Sequence, residues 1–313
     1  MSFAFVFPGQ GSQSVGMLDA LARRYPIVEA TYAEASGVLD YDLWRVVRDG
    51  PEEKLNGTVI TQPAMLAAGV AIWRLWLERG GGAPGIMAGH SLGEYTALVC
   101  AGALDFGAAV ALVAERGRCM QDAVPEGGGA MAAILGLEPE PLRQICDRAA
   151  QGQVVACANL NAPGQIVIAG HRAAVERAMK AAAEAGAKRA VLLPVSVPSH
   201  CELMRSAAER FSTALNRLNM RPPRIGILHN SDVESHDSPA DIMEVLRRQL
   251  YSPVRWVETT QKIAAGGIRI LIEAGPGRVL SGLGRRIDRT LQCLPVFDPE
   301  TLESALAATA GGR

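Results

Sequence analysis

The stretch Gly89-His90-Ser91-Leu92-Gly93-Glu94-Tyr95 constrains this chain more than any other. It follows the short apolar run Ile86-Met87-Ala88 and opens a helical segment from Glu94 to Ala101, so it reads strand, tight turn, helix. That is the context of a nucleophile elbow, in which a serine sits on a sharp turn at the end of a strand. Small residues on either side leave room for such a turn, and the strain aims the hydroxyl outward into a cleft. Ser91 is therefore the candidate nucleophile. A G-x-S-x-G match alone also fits ordinary loops, and it is the flanking strand and helix that favour the elbow.

Strands alternating with helical segments imply an α/β fold with a mostly parallel sheet, whose ligands gather at the carboxyl ends of the strands. Phe3-Ala4-Phe5-Val6-Phe7 reads as a buried strand running into the loop Pro8-Gly9-Gln10-Gly11-Ser12-Gln13. Ile225 to Leu228 and Ile268 to Ile272 read as further strands, and polar residues fall at equivalent ends: Gln10, Ser91, His200 after Val191 to Val197, and Asn230. At Gly127-Gly128-Gly129 the chain changes character. Strands at 130–137, 154–159, 165–169 and 190–195 with helices at 139–150 and 172–185 give the order β-α-β-β-α-β, a ferredoxin-like pattern. The expected organisation is a large α/β-hydrolase-like domain of residues 1–126 and 197–313, interrupted by a small ferredoxin-like subdomain of residues 127–196. The alanine-rich tail after Leu302 reads as a helix with a Gly311-Gly312 end.

The 313 residues suffice for these two units, and 31 basic against 32 acidic residues leave a net charge of −1. That balance argues against a surface devoted to nucleic acid or anionic membrane. Six scattered cysteines include no C-x-x-C pair and no metal-finger spacing, so no metal site is expected and reduced thiols fit best. The Phe3 to Phe7 run is too short for a signal-peptide core, and no uninterrupted apolar run of about 18 residues follows. The expectation is a soluble, cytoplasmic protein and a monomer.

A serine nucleophile needs a base, to be found among His90, His171, His200, His229 and His236. The side chain of His90 should diverge from its neighbour Ser91, while His171 and His236 read as surface residues. His200 and His229 both follow apolar strands, and Pro198-Ser199-His200 presents its histidine from a rigid turn, which favours His200. No aspartate or glutamate is clearly placed as a third member, so a Ser-His dyad oriented by a backbone carbonyl stands beside a full triad. The Leu92 N–H and a second N–H from the Gly9-Gln10-Gly11 turn are candidates for an oxyanion hole.

Arg116 narrows the acyl group. On a helix of about 108–123, Ala109, Leu112, Val113, Gly117 and Met120 form one apolar stripe that includes Arg116, whereas Arg118 projects away with Glu115 and Asp122. An inward arginine requires an anionic partner. A buried Asp or Glu is the slightly favoured partner, and a substrate carboxylate, clamped in bidentate fashion, is the alternative.

Taken with Gln249-Leu250-Tyr251-Ser252-Pro253-Val254-Arg255-Trp256 and Glu273-Ala274-Gly275-Pro276-Gly277, these motifs closely resemble the malonyl-CoA:acyl carrier protein transacylase family of bacterial type II fatty acid synthesis, nearly end to end. The resemblance implies that Ser91 is acylated, that His200 is its base, and that the N–H groups of Gln10 and Leu92 form the oxyanion hole. It also implies that Arg116 binds the malonyl carboxylate, that Gln249 orients His200 through its main-chain carbonyl, and that Asn159 and Asn230 are supporting polar residues. The implied reaction is ping-pong transfer of malonyl from malonyl-CoA to a carrier-protein phosphopantetheine thiol, with no metal or redox cofactor. An acidic carrier would meet a basic pair, Lys188-Arg189 or Arg285-Arg286. A serine thioesterase, a loading subunit of malonate decarboxylase, a polyketide loading enzyme and a non-catalytic carrier-binding protein are the rival readings.

Overall fold

The computed structural model describes residues 2–125, 127–195 and 197–310. Glu126 and Ser196, on which the expected domain boundaries fall, and the Gly311-Gly312 end lie outside the described residues.

Two sheets organise the molecule. The first joins β1 (Phe3–Phe7), β2 (Ile86–Gly89), β7 (Ile227–Leu228), β8 (Ile270–Ala274) and β9 (Gln292–Val296) in the order β7-β2-β1-β8-β9. All of its pairings are parallel. The alternation Phe-Ala-Phe-Val-Phe in β1 sends three rings to one face of the sheet and two small side chains to the other. Phe3 and Phe5 meet Trp76 at centroid distances of 5.8 and 5.2 Å, on the helix Thr58–Glu78. Ala4 and Val6 belong to a separate cluster with Trp256, Leu271 and Leu280 on the opposite face. Full burial of one such phenylalanine contributes about 1.5–3 kcal/mol. The helix Thr58–Glu78 is long and apolar enough to cross a membrane, yet 83% of its most apolar window is buried inside the protein. Here it serves as a core helix.

The second sheet is antiparallel, with β3 (Gly129–Leu135), β4 (Val155–Ala162), β5 (Gln165–His171) and β6 (Arg189–Leu192) in the order β4-β5-β3-β6. Helices Pro139–Ala150 and Arg172–Glu184 pack against it around Ile134, Leu142, Ile168 and Val175. This is the β-α-β-β-α-β order read from the sequence. The small sheet is stitched to the rest of the chain where Val254 pairs with Asn159 and accepts the N–H of Leu160.

Two local readings change. The strand before His200 ends at Leu192 and lies in the antiparallel sheet, so His200 does not follow a strand of the parallel sheet. The strand β9 was not anticipated, because Gln292-Cys293-Leu294-Pro295-Val296 has mixed polarity and a proline; its position at the sheet edge tolerates both.

Candidate active site

The parallel register lines up Phe7 with Gly89 and Ala88 with Leu228, so the loops carrying Gln10, Ser91 and Asn230 leave the sheet side by side. Three glycines let the loops close on one another. A Cβ on Gly93 would lie 2.0 Å from the Phe7 carbonyl oxygen, one on Gly89 1.8 Å from the backbone of Gly93, and one on Gly9 2.5 Å from the His90 carbonyl oxygen. Ser91 itself has φ of 50°, in the left-handed region, which is the strain expected of an elbow. Behind it the helix Gly93–Cys100 begins.

His200 also holds a left-handed backbone, with φ of 63°, and is anchored by its N–H to the Leu250 carbonyl at 2.9 Å. Its Nδ1 lies 2.8 Å from the Gln249 carbonyl oxygen and its Nε2 2.8 Å from Ser91 Oγ. Because a carbonyl can only accept, Nδ1 carries the proton and Nε2 is left to take one from the serine. Only 3% of His200 is exposed. Burial, and then the neighbouring Arg116 charge, push its pKa down to about 3. The imidazole is thus neutral, with Nε2 free to accept a proton. The pair is a dyad oriented by a backbone carbonyl.

The N–H groups of Gln10 and Leu92 find no acceptor among the described residues, as suits donors kept for a developing oxyanion. Leu92 lies at the amino end of the elbow helix, where the backbone dipole adds to the attraction.

Arg116 is 2% exposed and lies among Leu112, Val113 and Met120 on the buried stripe of the helix Phe106–Gln121. Arg118 turns outward to Glu115 at 3.0 Å. Contrary to the favoured expectation of a structural Asp or Glu, Arg116 has no acidic partner among the described residues. It donates to the neutral oxygens of Gln62 Oε1 (3.0 Å), Gln249 Oε1 (2.9 Å) and Ser91 Oγ (3.2 Å), and its Nε has no partner. The Tyr95 ring, 5.3 Å from the guanidinium, adds a cation–π contact. A buried cation beside Ser91 with only neutral acceptors is electrostatically suited to an anion.

Glu94 and Gln62 belong to the site although sequence reasoning passed over them. Glu94 is fully buried and accepts from His229 Nδ1 (2.6 Å), the Asn230 N–H (3.0 Å) and Gln249 Nε2 (2.9 Å). Its place in the first turn after the elbow is the signal that the sequence offers. His229, the rival base, is spent on Glu94 and does not reach Ser91. Gln62 had no signal beyond a polar residue in an apolar helix.

Asn230 stands close to Ser91: its Oδ1 accepts the Ser91 N–H at 2.6 Å and its Nδ2 donates to the Gly89 carbonyl at 2.6 Å. Asn159 makes no side-chain hydrogen bond into this network, and its Oδ1 is buried without a partner. Instead Asn161, past an irregular step in β4, meets His90 Nε2 at 2.8 Å. His90 diverges from Ser91 as expected, with its ring beside Trp256 and its pKa lowered by burial.

The acyl transferase domain family matches residues 4–292. The chain is 54% identical over 304 residues to the malonyl CoA-acyl carrier protein transacylase of Salmonella typhimurium, covering 97% of this chain and 98% of the relative. It is 56% identical over 297 residues to that of Haemophilus influenzae, with 95% of each covered. Among solved structures, an acyl carrier protein S-malonyltransferase from Vibrio cholerae superposes with a TM-score of 0.95 at 55% identity, over 97% of this chain and 99% of the other. A malonyl-transacylase in complex with its type II polyketide acyl-carrier protein superposes with a TM-score of 0.98 at 55% identity, over 98% and 100%. Matches of this extent, over a chain whose buried arginine faces an elbow serine, place it in the malonyl CoA-acyl carrier protein transacylase family.

Proposed function

We propose that Ser91 relays a malonyl group between two pantetheine thiols in a ping-pong cycle, which makes the chain an acyl carrier protein S-malonyltransferase of fatty acid synthesis. Ser91 Oγ attacks the thioester carbonyl of malonyl-CoA while His200 Nε2 takes the hydroxyl proton, and the N–H groups of Gln10 and Leu92 receive the oxyanion. Collapse of that intermediate breaks the C–S bond, and His200 returns the proton to the departing CoA thiolate. The carrier's phosphopantetheine thiol then gives its proton to His200 and attacks the malonyl ester; collapse breaks the bond between the acyl carbon and Ser91 Oγ, and His200 returns the proton to Oγ, restoring the free serine. The cycle calls for no metal or redox cofactor, because N–H donors and Arg116 supply the charge stabilisation. The six cysteines, all unpaired and buried, suit a reducing cytoplasm.

The observation that carries this reading is Arg116, a buried guanidinium touching the nucleophile with no acidic partner among the described residues. Losing a buried charge partner costs about 2–5 kcal/mol. Arg116→Ala should therefore lower kcat/KM for malonyl-CoA roughly 30-fold or more, while transfer from acetyl-CoA, whose acyl group carries no carboxylate, suffers less. Equal losses with the two donors would show that Arg116 does not hold the carboxylate.

A further inference from the structure

Gln249 stands between two buried charges. Its Oε1 accepts from Arg116 Nη2 at 2.9 Å, and its Nε2 donates to Glu94 Oε2 at 2.9 Å and to the Ser91 carbonyl at 3.0 Å. Gln249, Glu94 and Arg116 are each at most 2% exposed. Turning the carboxamide over would set N–H donors against the guanidinium and the amide oxygen against the carboxylate, so Glu94 fixes which end of Gln249 faces Arg116. Glu94 is itself held by two further donors, His229 Nδ1 and the Asn230 N–H. The loop that supplies them turns through Val233 with φ of 63°, a left-handed conformation that is costly for a β-branched residue.

We propose that Glu94 is a positioning residue for acyl selection: through the Gln249 carboxamide it keeps a buried negative charge one amide away from Arg116, leaving the guanidinium for a substrate carboxylate. Direct contact between Glu94 and Arg116 would complete an internal ion pair and satisfy the donors the substrate needs. Without Glu94, the amide loses the partner that orients it and Arg116 loses its fixed acceptor. The inference rests on the reading that Arg116 takes the malonyl carboxylate, and Arg116→Ala tests that reading by itself.

The test compares single-turnover acylation of the full chain by malonyl-CoA and by acetyl-CoA in three variants, with thermal unfolding as a control for folding. Glu94→Gln keeps the volume but sets an amide against a cluster of donors. Gln249→Met removes the polar end while leaving the main-chain carbonyl on His200. The double variant Glu94→Gln with Gln249→Glu keeps the net charge but puts the carboxylate directly on Arg116. The malonyl-to-acetyl ratio of kcat/KM is expected to fall about tenfold or more in each, mainly through KM for malonyl-CoA. Equal losses with both donors in folded Glu94→Gln or Gln249→Met would mark a merely structural role and overturn the proposal. An unchanged ratio in Gln249→Met would overturn it even if both Glu94 variants failed to fold. If Arg116→Ala itself left the ratio unchanged, the functional reading would fail first, and the two failures are thus distinguishable.

Discussion

A histidine that takes a proton from serine has to be unprotonated when substrate arrives, and the surroundings of His200 enforce this. Burial, and then Arg116, move its pKa from the ordinary 6.5 to about 3, while the Gln249 carbonyl pulls the other way. Acylation by malonyl-CoA is therefore expected to show no inflection near 6.5 in the pH dependence of kcat/KM. A profile measured from about pH 5 to 8 tests this, and loss of activity through the ordinary histidine range would contradict it. Stability carries the opposite burden. Below 6.5 the unfolded chain binds a proton at this histidine that the folded chain refuses, so His200 destabilises the fold progressively as pH falls from 6.5 toward 3. Replacing it with Gln should flatten that acid-side slope in thermal unfolding scans. Among single residues, the pairing of Ser91 with His200 was legible because a serine on an elbow calls for a histidine within reach and the chain holds few histidines. Arg116 was legible from helical periodicity, but its partner was not. Whether a carboxylate lies opposite a buried arginine depends on contacts such as that with Gln62, 54 positions away.

At the scale of elements, the elbow works because β1, β2 and the helix Gly93–Cys100 approach closely at glycines. Methyl groups at Gly93 and Gly89 would meet backbone, at 2.0 and 1.8 Å, and backbone has no rotamer by which to escape. Gly93→Ala should lower stability by more than about 4 kcal/mol, read from the midpoint and slope of denaturant unfolding. A loss under about 1 kcal/mol would mean that the strand and helix can separate without harm. The same close approach explains why these elements were readable, since strand, glycine, serine, glycine and helix all lie between Ile86 and Cys100. The segment leading to His200 was read less well. The apolar stretch 190–195 continues past the end of β6 at Leu192, and apolarity alone does not say when pairing stops. Likewise the glutamate that orients Gln249 is adjacent to the elbow in sequence, but its partners come from residues 229, 230 and 249.

On the whole molecule, the division into a parallel sheet and an inserted antiparallel one was legible from the order of elements. The face that receives a carrier was not, because exposed charges look alike in a sequence. Arg285 donates to the Cys293 carbonyl at 2.8 Å and Arg286 to Gln165, so the second basic pair is engaged within the protein. Lys188 and Arg189 are exposed next to Val191 and Leu192, which are 49% and 39% exposed on the edge strand β6. A basic pair beside an apolar patch is the better complement to an acidic carrier. Reversing both charges should lower kcat/KM for carrier protein about tenfold and leave acylation by malonyl-CoA unchanged; undiminished carrier kinetics would dismiss this face.

Transfer through a covalent malonyl-serine is tested most directly by the intact mass of the protein after mixing with malonyl-CoA. One malonyl adduct is predicted, located on the peptide containing Ser91, discharged on adding the holo carrier protein, and missing from Ser91→Ala. An unaltered protein that never gains the adduct, or a Ser91→Ala variant that gains the same one, would contradict it.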